Sequence, residues 1–166
     1  MSLAVAAIGA VIAALLNLTI APYLMIGGAQ PDFVLISAVV WTVVAGIEGG
    51  LIWAFIGGLM IDFLAPRPLG MTAFTLLICV GFATLIGRAL QQFRFVAPVV
   101  AVFVCSVVNS LLFLLVYGAI RGPLVAPDPV GAILPSAMYN TAIAAVVVPV
   151  VVAVLARRQP RERLDW

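Results

Sequence analysis

The chain contains no histidine and no lysine. The first absence removes the imidazole on which most general-base, proton-shuttle and metal sites rely. With lysine also missing, neither a Ser–His nor a Ser–Lys nucleophile can be assembled. The two cysteines, Cys79 and Cys105, both fall inside apolar runs. They offer no metal cluster and read as buried free thiols, small hydrophobes rather than a disulfide. No Walker-type phosphate loop occurs. Charge is scarce as well: 8% of 166 residues, eight arginines against six acids, for a formal +2. The small excess forms no dense basic face, which excludes a nucleic-acid footprint.

What remains is apolar, 66% of the chain. Soluble domains are roughly half apolar and about a quarter charged. A small domain has too much surface to hide such an excess in one core, so the solvent is lipid. Barrel strands would alternate in polarity, and none of the runs does. Backbone groups in lipid need partners within their own segment, so the spans are helices. The expected fold is an all-α integral membrane protein.

A span takes about 20 apolar residues. Six candidates emerge, over about 3–26, 32–45, 47–64, 71–90, 95–120 and 130–156. They make a single transmembrane domain, 1–156, followed by a basic tail, 157–166. The first run lacks a basic flank at its start and is too long for a signal-peptide core, so it reads as a retained helix. The second and third join through "AGIEGG" with almost no loop; a re-entrant or tilted segment is the alternative there. With six spans both termini share a side. That side carries Arg88, Arg94, Arg157, Arg158, Arg161 and Arg163, against Arg67 and Arg121 opposite. The arginine bias puts both termini in the cytoplasm. Trp41 and Trp53 then fit an interfacial belt near the inner face, and the arginine tail suits an anionic inner leaflet. Pro98, Pro135 and Pro149 should kink helices or mark first turns.

Two features carry candidate function. One is a ridge of small residues on the third helix: Gly46, Gly50, Ala54, Gly58, ending at Asp62, with Gly57 beside it. A four-residue spacing makes one helix ridge, and small residues let another backbone approach closely. Gly9, Ala13, Asn17 and Ala21 repeat the pattern on the first helix. Such a ridge serves packing within the chain or docking of a partner helix. The other feature is a polar asymmetry. Asn17, Asp32, Asp62, Thr72, Thr75, Ser106, Asn109, Ser110, Ser136, Tyr139 and Asn140 all fall in the outer halves of their helices. They are either interhelical hydrogen-bonding groups or the wall of an outward-opening polar cavity. Asp62 is a solvated helix end, a partner of Arg67, or part of a site. Glu48 lies about 20 Å from Asp62 along the same helix, so the two cannot form one acid–base centre. Asp32 and Asp62 could meet, but nothing else supports a reaction, and a non-enzymatic role is expected.

The run "QPDFVLISAVVWTVVAGIEGGLIWAFIGGLMIDFLAPRPLGM", Gln30 to Met71, resembles the rod shape-determining protein MreD family. The likeness rests on Pro31-Asp32 opening a helix, on Gly57-Gly58 and Asp62 closing another, and on Leu69-Gly70 after a short turn. It implies a scaffold of the bacterial elongation machinery in the cytoplasmic (inner) membrane. The implied partners are MreC and, indirectly, RodA, penicillin-binding protein 2 and MreB, with no cofactor. The family is similar in fold to S components of energy-coupling-factor vitamin importers, so an S-component-like bundle is implied, and importer function is the alternative. On that alternative, Ala6, Ala10 and Ala14 would form the docking surface for a transporter subunit.

Overall fold

The structure, a computed structural model, describes residues 3–26, 29–65, 68–93, 95–121, 131 and 133–158; for 3, 120–121 and 154–158 the description is of the backbone alone. Its regular elements are helices: α1 (Leu3–Thr19), α2 (Phe33–Ala45), α3 (Ile47–Leu64), α4 (Met71–Ala89), α5 (Val96–Arg121) and α6 (Ile133–Arg158), plus one 3₁₀ turn at Ala21–Leu24. α3, α4, the Val96–Ala119 part of α5 and the Ile133–Ala153 part of α6 are each long and apolar enough to cross a bilayer. The chain is thus an all-helical, multi-pass membrane protein.

α1 stops at Thr19 instead of continuing to about Ile26. Pro22 has no N–H to donate and disfavours the α conformation at the residue before it. The chain therefore tightens into the 3₁₀ turn, and Ile26 and Ala29 then close a tight reversal with paired backbone bonds of 2.9 and 3.0 Å.

α2 has 13 residues, a length of about 20 Å, well short of a hydrocarbon core of about 30 Å. It occupies the centre of the bundle and packs on all five other helices. Val34, Leu35, Ile36, Val39 and Val40 are all buried, which is the all-round apolarity of an internal helix. A single residue, Gly46, joins it to α3. Gly46 takes φ +106°, a conformation that side-chain-bearing residues rarely adopt, and its N–H closes α2 on the Thr42 carbonyl at 3.2 Å.

The small-residue ridge of α3 faces inward. A Cβ on Gly58 would stand 2.5 Å from the Ala73 Cα of α4, and one on Gly57 would stand 2.6 Å from the Val34 side chain of α2. A Cβ on Gly50 would collide with the Thr42 hydroxyl, and Ala54 is fully buried. Of the two uses open to Gly50, Ala54, Gly57 and Gly58, packing within the chain is the one seen: the chain's own helices fill this face. The same holds for Ala6, Ala10 and Ala14, which are buried in the core where α1 meets α3.

Trp53 also departs from expectation. It is 7% exposed, rests against Gly9, and lies 5.7 Å from the ring of Trp41. It is a core side chain between α1, α2 and α3, not a member of an interfacial belt. Cys79 and Cys105 are free and buried, and each thiol donates to the other's backbone carbonyl, at 3.5 and 3.3 Å. These weak bonds mark a close approach of α4 and α5. Pro98 and Pro135 fall in the first turns of α5 and α6, and Pro149 is interior to α6.

Candidate functional site

Because α2 is short, its first amides open within the bundle, partly buried among the neighbouring helices. An unsatisfied amide in such surroundings is costly. Three side chains supply the acceptors. Asp32, the N-cap, accepts from the Leu35 amide at 3.0 Å. Asn17 of α1 accepts from the Phe33 amide at 2.9 Å. Asn140 of α6 accepts from the Asp32 amide at 2.9 Å and donates to the Ser106 hydroxyl of α5 at 3.1 Å. One helix end thus ties together α1, α2, α5 and α6. Tyr139 adds a bond from its hydroxyl to the Leu24 carbonyl at 3.0 Å, anchoring the 3₁₀ turn.

Asp62 performs the same service for α4. It is 2% exposed although it lies near the end of α3. The Thr72 amide donates to both its oxygens, at 3.1 and 2.9 Å, and the Ala73 amide to one of them at 3.4 Å. α4 begins after Gly70, whose φ of +86° turns the chain and which has no side chain to cap with. The carboxylate of the preceding helix replaces the missing cap and sits favourably at the positive end of the α4 dipole. Asp62 is therefore not a solvated helix end. Arg67, its expected ion-pair partner, lies outside the described residues. Asp32 and Asp62 each serve the start of a different helix. Glu48 is exposed at the opposite end of α3.

Above the start of α2 lies a cavity of about 150 Å³. Asn17, Asp32, Ser106, Asn109 and Asn140 contribute to its wall, as do Thr72 and Thr75 from α4. Of the eleven residues expected in the outer polar cluster, all but Asp62 and Tyr139 are thus gathered around one space, Asn17, Asp32, Asn109 and Asn140 among them. Asp62 stands behind the wall, turned toward α4, and Gly70 caps α4 without lining the cavity. Sequence reasoning passed over Phe113 and Leu35, which also line it. Phe113 follows Asn109 by one helical turn, and that spacing is the signal that could have found it.

Asn140 is the most connected side chain of this cluster. Asn140→Ala is expected to leave the Asp32 amide and the Ser106 hydroxyl unpaired, a loss of about 1–3 kcal/mol. For a chain of this size, that lowers the thermal midpoint by roughly 2–4 °C per kcal/mol. Asn140→Asp keeps an acceptor for the Asp32 amide but buries a second acid beside Asp32, and it is expected to recover midpoint only as falling pH protonates it. Differential scanning fluorimetry of the detergent-purified variants checks both.

The architecture defines a class: a polytopic membrane protein in which polar side chains hold helix starts in place beside a polar cavity. The rod shape-determining protein MreD family model matches residues 2–158. The chain belongs to that family, whose members are rod shape-determining membrane proteins. No curated protein and no solved structure matches the chain.

Proposed function

We propose that this chain is a non-enzymatic scaffold of the bacterial cell-elongation machinery. In this reading it resides in the cytoplasmic membrane with both termini inside, binds MreC, and helps regulate the RodA–penicillin-binding protein 2 synthase. The observation that carries the proposal is the family match across nearly the whole chain. The arginine distribution supports the orientation. The use of Asp32 and Asp62 as helix caps supports a structural rather than catalytic role for both acids. The importer alternative draws on the outer cavity, but the alanine surface it would need on α1 is already covered by α3.

Affinity purification of the tagged chain from native membrane tests the reading. The expected result is recovery of MreC, a protein with one membrane helix, in stoichiometric amount. Recovery of an ATPase module with a bound vitamin would favour the importer. Recovery of neither from membranes that contain MreC would overturn the scaffold reading. Because the α3 ridge is internal, substitutions that map the MreC contact belong on exposed positions such as Phe55 or Phe63 of α3 and Met138 of α6.

A further inference from the structure

We propose that the outer cavity is a binding site for an uncharged polyhydroxylated group of about monosaccharide size. Three independent features of its wall point there, and none depends on the scaffold reading. The first is unmet hydrogen-bonding capacity. Among the described residues, the Thr72 hydroxyl and the Asn109 carbonyl oxygen are buried without a partner, and Thr72 as a residue is only 4% exposed. Buried polar side-chain atoms are nearly always satisfied. Asn109 Oδ1 can only accept, so the missing group must bring an N–H or O–H donor; the Thr72 hydroxyl can serve in either sense.

The second feature is electrostatic balance. Asp32 is the one acidic side chain among the described residues of the wall, and its carboxyl group accepts from the first turn of α2. The partial positive charge of that helix start offsets it. The other polar groups among the described residues of the wall are neutral amides and hydroxyls, which suit an uncharged ligand.

The third feature is size and shape. In the same measure a water takes about 10–15 Å³, so a volume of about 150 Å³ has room for a ligand of roughly ten non-hydrogen atoms. Phe113 gives the wall a flat apolar part, one helical turn beyond Asn109 on α5. Sugars and polyols present this division themselves, with C–H faces on one side and hydroxyl edges on the other. Pockets that combine an apolar wall with a few placed polar groups are the usual form of a small-molecule site.

Glucose is the probe, and sucrose, too large for the cavity, is the control for general stabilisation by sugars. The full chain in lipid nanodiscs is melted in each at equal osmolality, with glucosamine and gluconate as charged analogues. Glucose is expected to raise the thermal midpoint above sucrose, by roughly 3 °C at about tenfold its Kd. That excess is expected to vanish in Asn109→Leu and to shrink in Thr72→Val, which leaves the backbone amide on Asp62 untouched. If one variant fails to fold, the other decides. Equal midpoints in glucose and sucrose would mean that the cavity holds water only, and the proposal fails. It fails equally if the excess survives in every variant that folds, or if only a charged analogue gives a rise.

Discussion

Gly58→Leu is expected to eliminate the folded bundle. A Cβ at this position would lie 2.5 Å from the Ala73 Cα, 2.7 Å from its amide nitrogen and 3.1 Å from its Cβ. Two of those three atoms are backbone and cannot rotate aside. α3 and α4 would have to separate, and the same turn of α4 is held to α3 by Asp62, so the separation also breaks the cap. Overpacking against side chains costs about 1–3 kcal/mol. Against backbone, with a cap lost as well, the cost exceeds that range and reaches the size of a typical domain's whole stability, about 5–15 kcal/mol. Gly81→Leu is the matched control: Gly81 is exposed on α4 and has nothing within 4 Å of a Cβ. It is expected to accumulate normally and even to gain helix propensity, by up to about 1 kcal/mol. Yield of monodisperse protein after detergent extraction distinguishes the two. Parent-like yield and midpoint for Gly58→Leu would contradict the packing of α3 on α4.

Asp62→Ala is expected to have the second largest effect. It strips the acceptors from the Thr72 and Ala73 amides in a buried place. Each orphaned donor costs about 1–3 kcal/mol, so a total of about 2–6 kcal/mol is expected for the two. Asp62→Asn retains one carbonyl oxygen and should lose less, though its NH₂ cannot accept from the second amide. Glu48→Gln, at an exposed site with no described polar contact, should be within about 0.5 kcal/mol of the parent. Thermal midpoints in detergent give the order, and complementation of rod shape reads it in cells. An Asp62→Ala variant as stable as Glu48→Gln would show that the carboxylate does not hold α4.

The helical membrane fold was legible because it follows from local quantities. Apolar runs of sufficient length must be helical in lipid whatever their neighbours do. α3, bracketed by Gly46 and the turn after Leu64, illustrates this. Pro22 was equally visible, yet the apolar residues after it concealed the end of α1. The polar asymmetry could be read as well, since helix direction and depth place Asn17, Asn109 and Asn140 in the same half. Their partners could not be read. Asn17 and Asn140 stand 16 and 108 positions from the amides they satisfy, and no periodicity within one helix reports on a bond to another. For Asp62 a signal did exist: α4 starts after "PLG" with no capping side chain of its own, so its amides had to find an acceptor elsewhere.

By itself, then, the sequence determined the solvent, the helical class and the absence of imidazole and lysine chemistry. All of these depend only on composition and on neighbours along the chain. It also resembled the family to which the chain belongs. The tertiary structure alone decided which way each small or polar residue faces. It turned the α3 ridge and the α1 alanines inward, moved Trp53 into the core, and made Asp62 the cap of the next helix. It also gathered residues from all six helices around one cavity. The reason is geometric: a helix presents its residues in every direction, and only the placement of the other helices determines which of those directions is lipid, which is core and which is the cavity.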